Sequence, residues 1–399
     1  MSAPFSFITL ARDPETAARR GRITTPHGTI ETPAFMPVGT AGTVKAMAPE
    51  DLEALGFEMI LGNTYHLALR PGEDVVRRLG GLHRFMGWER AILTDSGGFQ
   101  VLSLADLRTL SDAGVEFRSH LDGSLLSMTP ERSMQIQEAL GSDIVMAFDD
   151  CPALPSDRRR IEAAVRRTTL WARRSREAFR RNGRALFGIV QGGDDRALRE
   201  QSAAEIAAMG FEGHAIGGVS VGESAGLSRS IVALTAPLLP EDRPRYLMGM
   251  GTPGDLVEMM ALGCDLFDCV LPTRNARNGT LFTSTGRLQI KRREFLDDPR
   301  PVDETCACPV CRRFSRAYLR HLYLAGEILA MRLNTLHNLH QYADLMRRAR
   351  AAIEAGGYAG FAAGFRSRWS DDRPLDETSR PRMRRHTAVG VKIAGEESE

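Results

Sequence analysis

Ala185-Leu186-Phe187-Gly188-Ile189-Val190-Gln191-Gly192-Gly193 is an apolar run that stops at a glutamine and two glycines. It reads as a strand covered on both faces. Asp195 to Met209 then has helical spacing, and His214-Ala215-Ile216-Gly217-Gly218 is a second strand that also stops at glycines. A strand, a helix and a strand at these distances imply a parallel pair joined by a crossover helix.

The same unit recurs in both directions. Upstream, strands are expected at Ala34–Val38, Glu58–Asn63, Ala91–Asp95 and Asp143–Asp149. Helices follow at Pro49–Leu55, Gly72–Leu79, Pro130–Leu140 and Arg158–Arg181. Downstream, a helix is expected at Gly226–Ala236, then strand Arg245–Gly251, helix Pro253–Leu262 and a strand ending at Asp268. With a last helix at His340–Ala355, eight strand-then-helix beats result, which favours a closed (β/α)8 barrel over an open sheet. Residues before Pro33 read as a small antiparallel sheet, with a hairpin around His27-Gly28. The expected fold is thus a TIM barrel of the α/β class with an N-terminal antiparallel sheet.

Polar residues fall in phase with the strands. Asn63, Asp95, Asp149, Gln191, Gly217-Gly218, Gly249 and Asp268 all sit at predicted strand C-termini, which a barrel gathers at one mouth. Taken singly, each is explained as a cap or turn former. Asp95 and Asp268 on separate strands match the pair of acids used to cleave glycosidic bonds, one attacking the anomeric carbon and one moving protons. Asp149, Gln191 and a Gly-Gly backbone offer acceptors and donors that suit a guanine edge, though not that edge alone. Asp150 reads as a cap. Cys264 to Arg277 reads as a short strand ending at Asp268, then a turn with Arg274 and Arg277, which suit phosphates or pin a loop by an ion pair.

Composition narrows the class. The 399 residues are 43% hydrophobic and 26% charged with a net charge of +2, so no polycation is present. No apolar run reaches membrane length, and Met1 to Leu10 lacks the layout of a secretory signal; a cytoplasmic protein without a membrane is expected. Six cysteines in such a chain do not make a disulfide framework. Cys306, Cys308 and Cys311, with His337 farther on, instead form a Cys3His set for structural zinc, with His340 as a rival ligand. The set lies in an insertion, residues 279–338, that interrupts the last unit and includes a hairpin at Leu281–Ile290 and the basic run Lys291-Arg292-Arg293. The many arginines between Arg158 and Arg184 read as a solvated helix face. Residues 370–399 are polar and aperiodic and read as a flexible tail outside the 1–369 barrel domain.

Together these motifs resemble the bacterial queuine-type tRNA-guanine transglycosylases, from about Phe5 to Trp369. The resemblance rests on Asp95-Ser96-Gly97-Gly98-Phe99-Gln100, Phe148-Asp149-Asp150-Cys151, Gln191-Gly192-Gly193, Ile216 to Glu223, Met248-Gly249-Met250-Gly251, Phe267 to Arg277 and the Cys3His set. It implies a cytoplasmic homodimer with one structural zinc per subunit. It implies exchange of the wobble guanine of tRNA for 7-aminomethyl-7-deazaguanine in queuosine synthesis, by a ping-pong route through a covalent tRNA–Asp268 intermediate. In that comparison Asp268 matches the nucleophile and Asp95 the general acid/base. Asp149, Gln191, Gly218 and Val219 match the residues that read the base, and Phe99 and Met248 those that sandwich it. Arg274 and Arg277 match residues that hold a U-G-U anticodon loop. Cys306, Cys308, Cys311 and His337 match the zinc ligands, and Glu223 an acid behind the 218–219 peptide. Cys151 and Val221 are similar to the bacterial pattern, not to that of the queuine-using eukaryotic enzyme. Two other expectations compete: a non-catalytic tRNA-binding subunit of the same fold, and a barrel hydrolase with catalytic zinc.

Overall fold

The computed structural model describes residues 4–99, 108–119 and 121–369. Its centre is a parallel sheet with the spatial order Ala34–Met36, Leu266–Asp268, Arg245–Leu247, Gly213–Ile216, Ala185–Val190, Ile144–Met146, Ala91–Thr94, Met59–Gly62 and Val38–Gly39. The first and last of these nine segments are one strand interrupted at Pro37, which has no N–H to give a ladder. Eight strands therefore close into a barrel. Asp268 pairs with Met36 on one side of the seam, and Val38 pairs with Leu61 on the other.

Strand alternation divides the core in two. Ala185, Phe187 and Ile189 face one way and pack with Met36, Leu61, Leu93 and Met146. Leu186 and Val190 face the other way and pack with Ile60, Ile92, Val145 and the surrounding helices. Because both faces are covered, the strands are apolar throughout, and each buried aliphatic side chain contributes about 1.5–3 kcal/mol. The intervening helices start at side-chain caps: Thr129 accepts from the Arg132 amide, Asp157 from that of Arg160, and Asp195 from that of Leu198.

The N-terminal sheet consists of Ser6–Arg12, Arg19–Thr25 and Gly28–Thr32 in sequential antiparallel order. Its Ile23 and Ile30, with Phe5 and Phe7, join the same cluster as the barrel interior, so the sheet closes the end opposite the mouth. Arg19 fastens it there. The guanidinium is 1% exposed and meets the fully buried Asp265 through two bonds, of 2.9 and 2.6 Å. Asp265 also accepts from the Arg245 amide at 2.7 Å.

Several elements depart from expectation. The segment after Asp268 is a seven-residue helix, Leu271–Arg277, not a turn. The last barrel helix is Ile328–Glu354, longer than expected and running through position 338. Short helices at Thr64–Leu69, Gly81–Met86 and Arg316–Leu324, and a further one at Tyr358–Arg368, add to the expected elements. Asp150 is no cap: it is buried, paired with Arg160 at 2.8 and 2.5 Å and with Arg167. Nor is the helix Arg158–Ala178 simply solvated. Arg166 pairs with Asp112, Arg174 with Glu131 and Arg176 with Glu212, so its arginines tie it to neighbouring elements. The tail expected at 370–399 lies outside the described residues, as does Gln100.

Replacing Arg19 by Met leaves Asp265 buried without its cation. The expected cost is about 3 kcal/mol, read as a lower urea midpoint, with ligand affinity at the distant mouth unchanged.

Candidate active site and metal centre

The strand C-termini surround a cavity of about 540 Å³. Asp95, Phe99, Asp149, Gln191, Gly218, Val219, Met248, Asp268 and Arg274 all line it. Nine residues far apart in sequence are thus brought together. Arg277 is the exception: it lies outside this lining and donates to the Thr273 carbonyl at 2.8 Å.

Four carboxylates line this mouth: Asp255 caps the helix Pro253–Ala261 through Thr252, and the other three stand at or near strand ends. Asp95 accepts from Asn63 Nδ2 at 2.5 Å and from the Thr64 amide at 2.7 Å. Asp149 accepts from Ser96 Oγ at 3.1 Å and Gln191 Nε2 at 2.8 Å. Burial pushes the Asp149 carboxyl up to about 6. The bonds from Gln191 and Ser96 pull the other way, and the charges of Asp150 and Asp95 add to the rise. Asp268 accepts from Tyr246 Oη at 2.6 Å and from the Gly249 amide at 2.8 Å. Burial raises the Asp268 carboxyl too, and those two donors restrain it. Tyr246 was not singled out in the sequence, where it is one aromatic residue in an apolar strand. Its hydroxyl is pushed well above its usual value by burial and then by the Asp268 charge, so it stays a donor.

The remaining walls are set by close packing. Phe99 is exposed and Met248 half-buried at the rim, so flat apolar surface is available there. A Cβ on Gly217 would lie 2.6 Å from Gln191 Nε2, and one on Gly218, which has φ +66°, 2.6 Å from Gln191 Oε1. Only glycine lets this loop lie against the glutamine. Arg199, another residue the sequence did not flag, lies fully buried beneath it. Glu223 does not reach the 218–219 peptide. It accepts from the amides of Ser220 and, at 2.9 Å, Val221, one and two peptides farther along. Arg274 is exposed on the helix Leu271–Arg277.

The Cys3His set converges elsewhere. The ligand atoms of Cys306, Cys308, Cys311 and His337 all lie within 4.8 Å of one another, and none of the four lines the mouth. His337 Nδ1 faces the sulfurs of Cys311, Cys308 and Cys306 at 3.4, 3.5 and 3.9 Å. Its Nε2 is 2.7 Å from the Phe282 carbonyl. A carbonyl only accepts, so Nε2 carries the hydrogen and Nδ1 is left as a ligand. Four protein ligands fit a closed tetrahedral ion, which zinc prefers. His340 approaches only Cys306, at 3.6 Å.

A parallel barrel with paired buried acids at its mouth and a separate Cys3His cluster that could hold a metal ion fits a group-transferring barrel enzyme. Comparison with known proteins is more specific. The family model described as queuine tRNA-ribosyltransferase matches residues 13–371. The queuine tRNA-ribosyltransferase of Cereibacter sphaeroides is 58% identical over 366 residues, covering 92% of this chain and 97% of that protein. That of Moorella thermoacetica is 56% identical over 368 residues, 92% of this chain and 99% of its own. That of Oceanobacillus iheyensis is 51% identical over 363 residues, 91% and 96%. The chain belongs to the queuine tRNA-ribosyltransferase family and is a transferase. Among the described residues, no helix is long and apolar enough to cross a membrane.

The cluster sets a test of its own. Purified protein is expected to carry about one zinc per chain by elemental analysis. Cys308→Ser should lose it and lower the thermal midpoint, because metal binding is coupled to folding of the segment that carries the ligands.

Proposed function

We propose that the enzyme exchanges the wobble guanine of tRNA for 7-aminomethyl-7-deazaguanine, in queuosine synthesis. The observation that carries this reading is the convergence of Asp95, Asp149, Gln191 and Asp268 on one cavity in a chain of this family. Resemblance supplies the roles, and the geometry is compatible with each.

Asp268 is the nucleophile. Held by Tyr246 and the Gly249 amide, its carboxylate attacks C1′ of the target ribose, and the bond from C1′ to N9 breaks. Guanine leaves with a proton from Asp95. The tRNA is then covalently held on Asp268 while the bases change places. Asp95 takes the proton from N9 of the incoming base, N9 attacks C1′, and Asp268 is released. Asp149 accepts from the ring N–H and amine of the base, Gln191 and the Gly218–Val219 backbone meet its oxo edge, and Phe99 and Met248 stack on its faces. The target base must leave the anticodon stack to reach this cavity. Arg274 and Arg277 hold the flanking uridines of a U-G-U loop, Arg274 from the cavity rim and Arg277 from the same helix.

The Cys3His cluster holds structural zinc within a module at residues 279–338 inserted in a 1–369 domain. Zinc supplies cross-linking of that module and lies apart from the chemistry. The enzyme acts in the cytoplasm as a homodimer. Exposed Tyr318, Leu324, Ile328 and Leu329, clustered in sequence at the end of one helix and the start of the next, support an apolar contact surface.

Labelled guanine should enter an unmodified tRNA with a U-G-U anticodon loop, and 7-aminomethyl-7-deazaguanine, but not queuine, should block it. Asp268→Asn should abolish incorporation and the covalent tRNA adduct on denaturing gels. Retained exchange in that variant would remove Asp268 as nucleophile.

Asp149 gives a pH dependence. Its ionised form accepts the base's hydrogens, and that form is lost as pH falls through about 6. The KM for guanine should therefore rise by about tenfold between pH of about 7 and about 5. A flat profile would assign base recognition to other groups.

A further inference from the structure

Arg199 lies on the helix Arg196–Ala207 with no exposed surface. Among the described residues no carboxylate lies within ion-pair distance of it. Its donors are spent on backbone carbonyls instead. Nε donates to Gly193 O at 2.9 Å, and Nη1 donates to Gly217 O at 2.8 Å and Val190 O at 3.1 Å. Nη2 leans on Gly218 O at 3.4 Å. Burial lowers its pKa to about 10, still above neutral, so the charge remains.

A buried cation without a counter-ion is a costly way to join a helix to two loops. A neutral side chain would fill the space at less cost. The carbonyls it selects are informative. Val190 and Gly193 flank Gln191, while Gly217 and Gly218 belong to the adjoining loop at the mouth. Successive carbonyls of an extended chain point to opposite sides. Here two in a row turn to one guanidinium, which the left-handed Gly218 permits. In a trans peptide the N–H points opposite to the C=O. The amides of Gly218 and Val219 therefore face away from Arg199. Neither amide bonds a backbone carbonyl among the described residues.

We infer that Arg199 is a positioning residue for base recognition: by fixing the Gly217 and Gly218 carbonyls, it presents the amides that follow them as N–H donors to the oxo edge of a purine-type base. This rests on the base pocket proposed above. The substrate feature it serves is the 6-oxo group, so it should distinguish guanine from 2-aminopurine, which lacks that group.

The test compares the wild-type enzyme with Arg199→Lys, which keeps the charge but not the fork, and with Arg199→Gln. Guanine is varied at saturating tRNA, and tRNA at saturating guanine. The expected result is a KM for guanine raised by about tenfold, with kcat and the KM for tRNA within about threefold of wild type. The preference for guanine over 2-aminopurine as competing ligand should fall by about fivefold or more. Far-ultraviolet circular dichroism and zinc content establish that each variant is folded. If Arg199→Gln does not fold, Arg199→Lys carries the comparison. Gly218→Ala, which disturbs the same pair of carbonyls from the loop side, should lose the same discrimination. Equal increases in both KM values, or an unchanged preference for guanine in folded variants, would reduce Arg199 to a structural tie. No exchange by the wild-type enzyme would instead overturn the base-pocket reading itself.

Discussion

Charges buried beside neutral partners are the constraint on which this site depends. Asp149 is held by a serine hydroxyl and a glutamine amide, and Asp268 by a tyrosine hydroxyl and a backbone amide. Arg199, beneath them, is held by carbonyls. Elsewhere the chain pairs its buried charges directly, as in Arg19 with Asp265 and Arg167 with Asp150. The difference has a chemical reason. An ion pair would depress a carboxyl's pKa and occupy the lone pairs that the proposed attack on carbon and the proposed base contacts require. Neutral donors stabilise the charge enough to keep it in an apolar mouth and leave it reactive. Burial without a cation raises both carboxyls, and the fixed dipoles of their neutral donors oppose that rise.

That arrangement needs a rigid frame, and the barrel supplies it. Asp268 ends one strand, and Asp95, Asp149 and Gln191 lie within three residues of the ends of three others, so the ladder sets where they stand. The opposite end is closed by the N-terminal sheet, pinned through Arg19. With one end plugged, substrate has one entrance, and all loops after the strands contribute to it.

Much of this was legible in the sequence because parallel strands are apolar on both faces. Against such runs a terminal Asp or Gln stands out, and the period of the units places them together. The same logic hid other residues. Arg199 reads as one more arginine in a charged helix, yet it shares a face with Ser202, Ala203 and Ile206, all buried, and that spacing was its only signal. Asp150 follows Asp149 at a strand end and invited the reading of a cap. Its partners, Arg160 and Arg167, lie on the next helix, where a row of arginines suggested solvent. The Leu271–Arg277 helix was missed because Pro272 and seven residues give too little periodicity to see. Ion pairs across elements have no sequence period, so pattern alone does not disclose them.

One helix links the metal cluster to the mouth. Ile328–Glu354 carries His337, whose Nε2–H is fixed on the Phe282 carbonyl. The neighbouring Asn338 donates to the carbonyls of Pro272 and Thr280 at 3.0 and 3.1 Å, and accepts from the Phe282 amide at 2.9 Å. Asn334, one turn earlier, donates to Ala276 at 3.3 Å. Two of those carbonyls, of Pro272 and Ala276, belong to the helix that bears Arg274 and Arg277. Farther along, Tyr342 donates to Gly251 at 2.5 Å, beside the cavity. The asparagines therefore orient the arginine helix from behind while His337, between them in sequence, is committed to the cysteines. A metal ion held by His337 would limit rotation and sliding of the whole helix, and so limit the arginines as well. The cluster can in this way act on the helix that bears Arg274 and Arg277 through backbone bonds without lining the cavity itself.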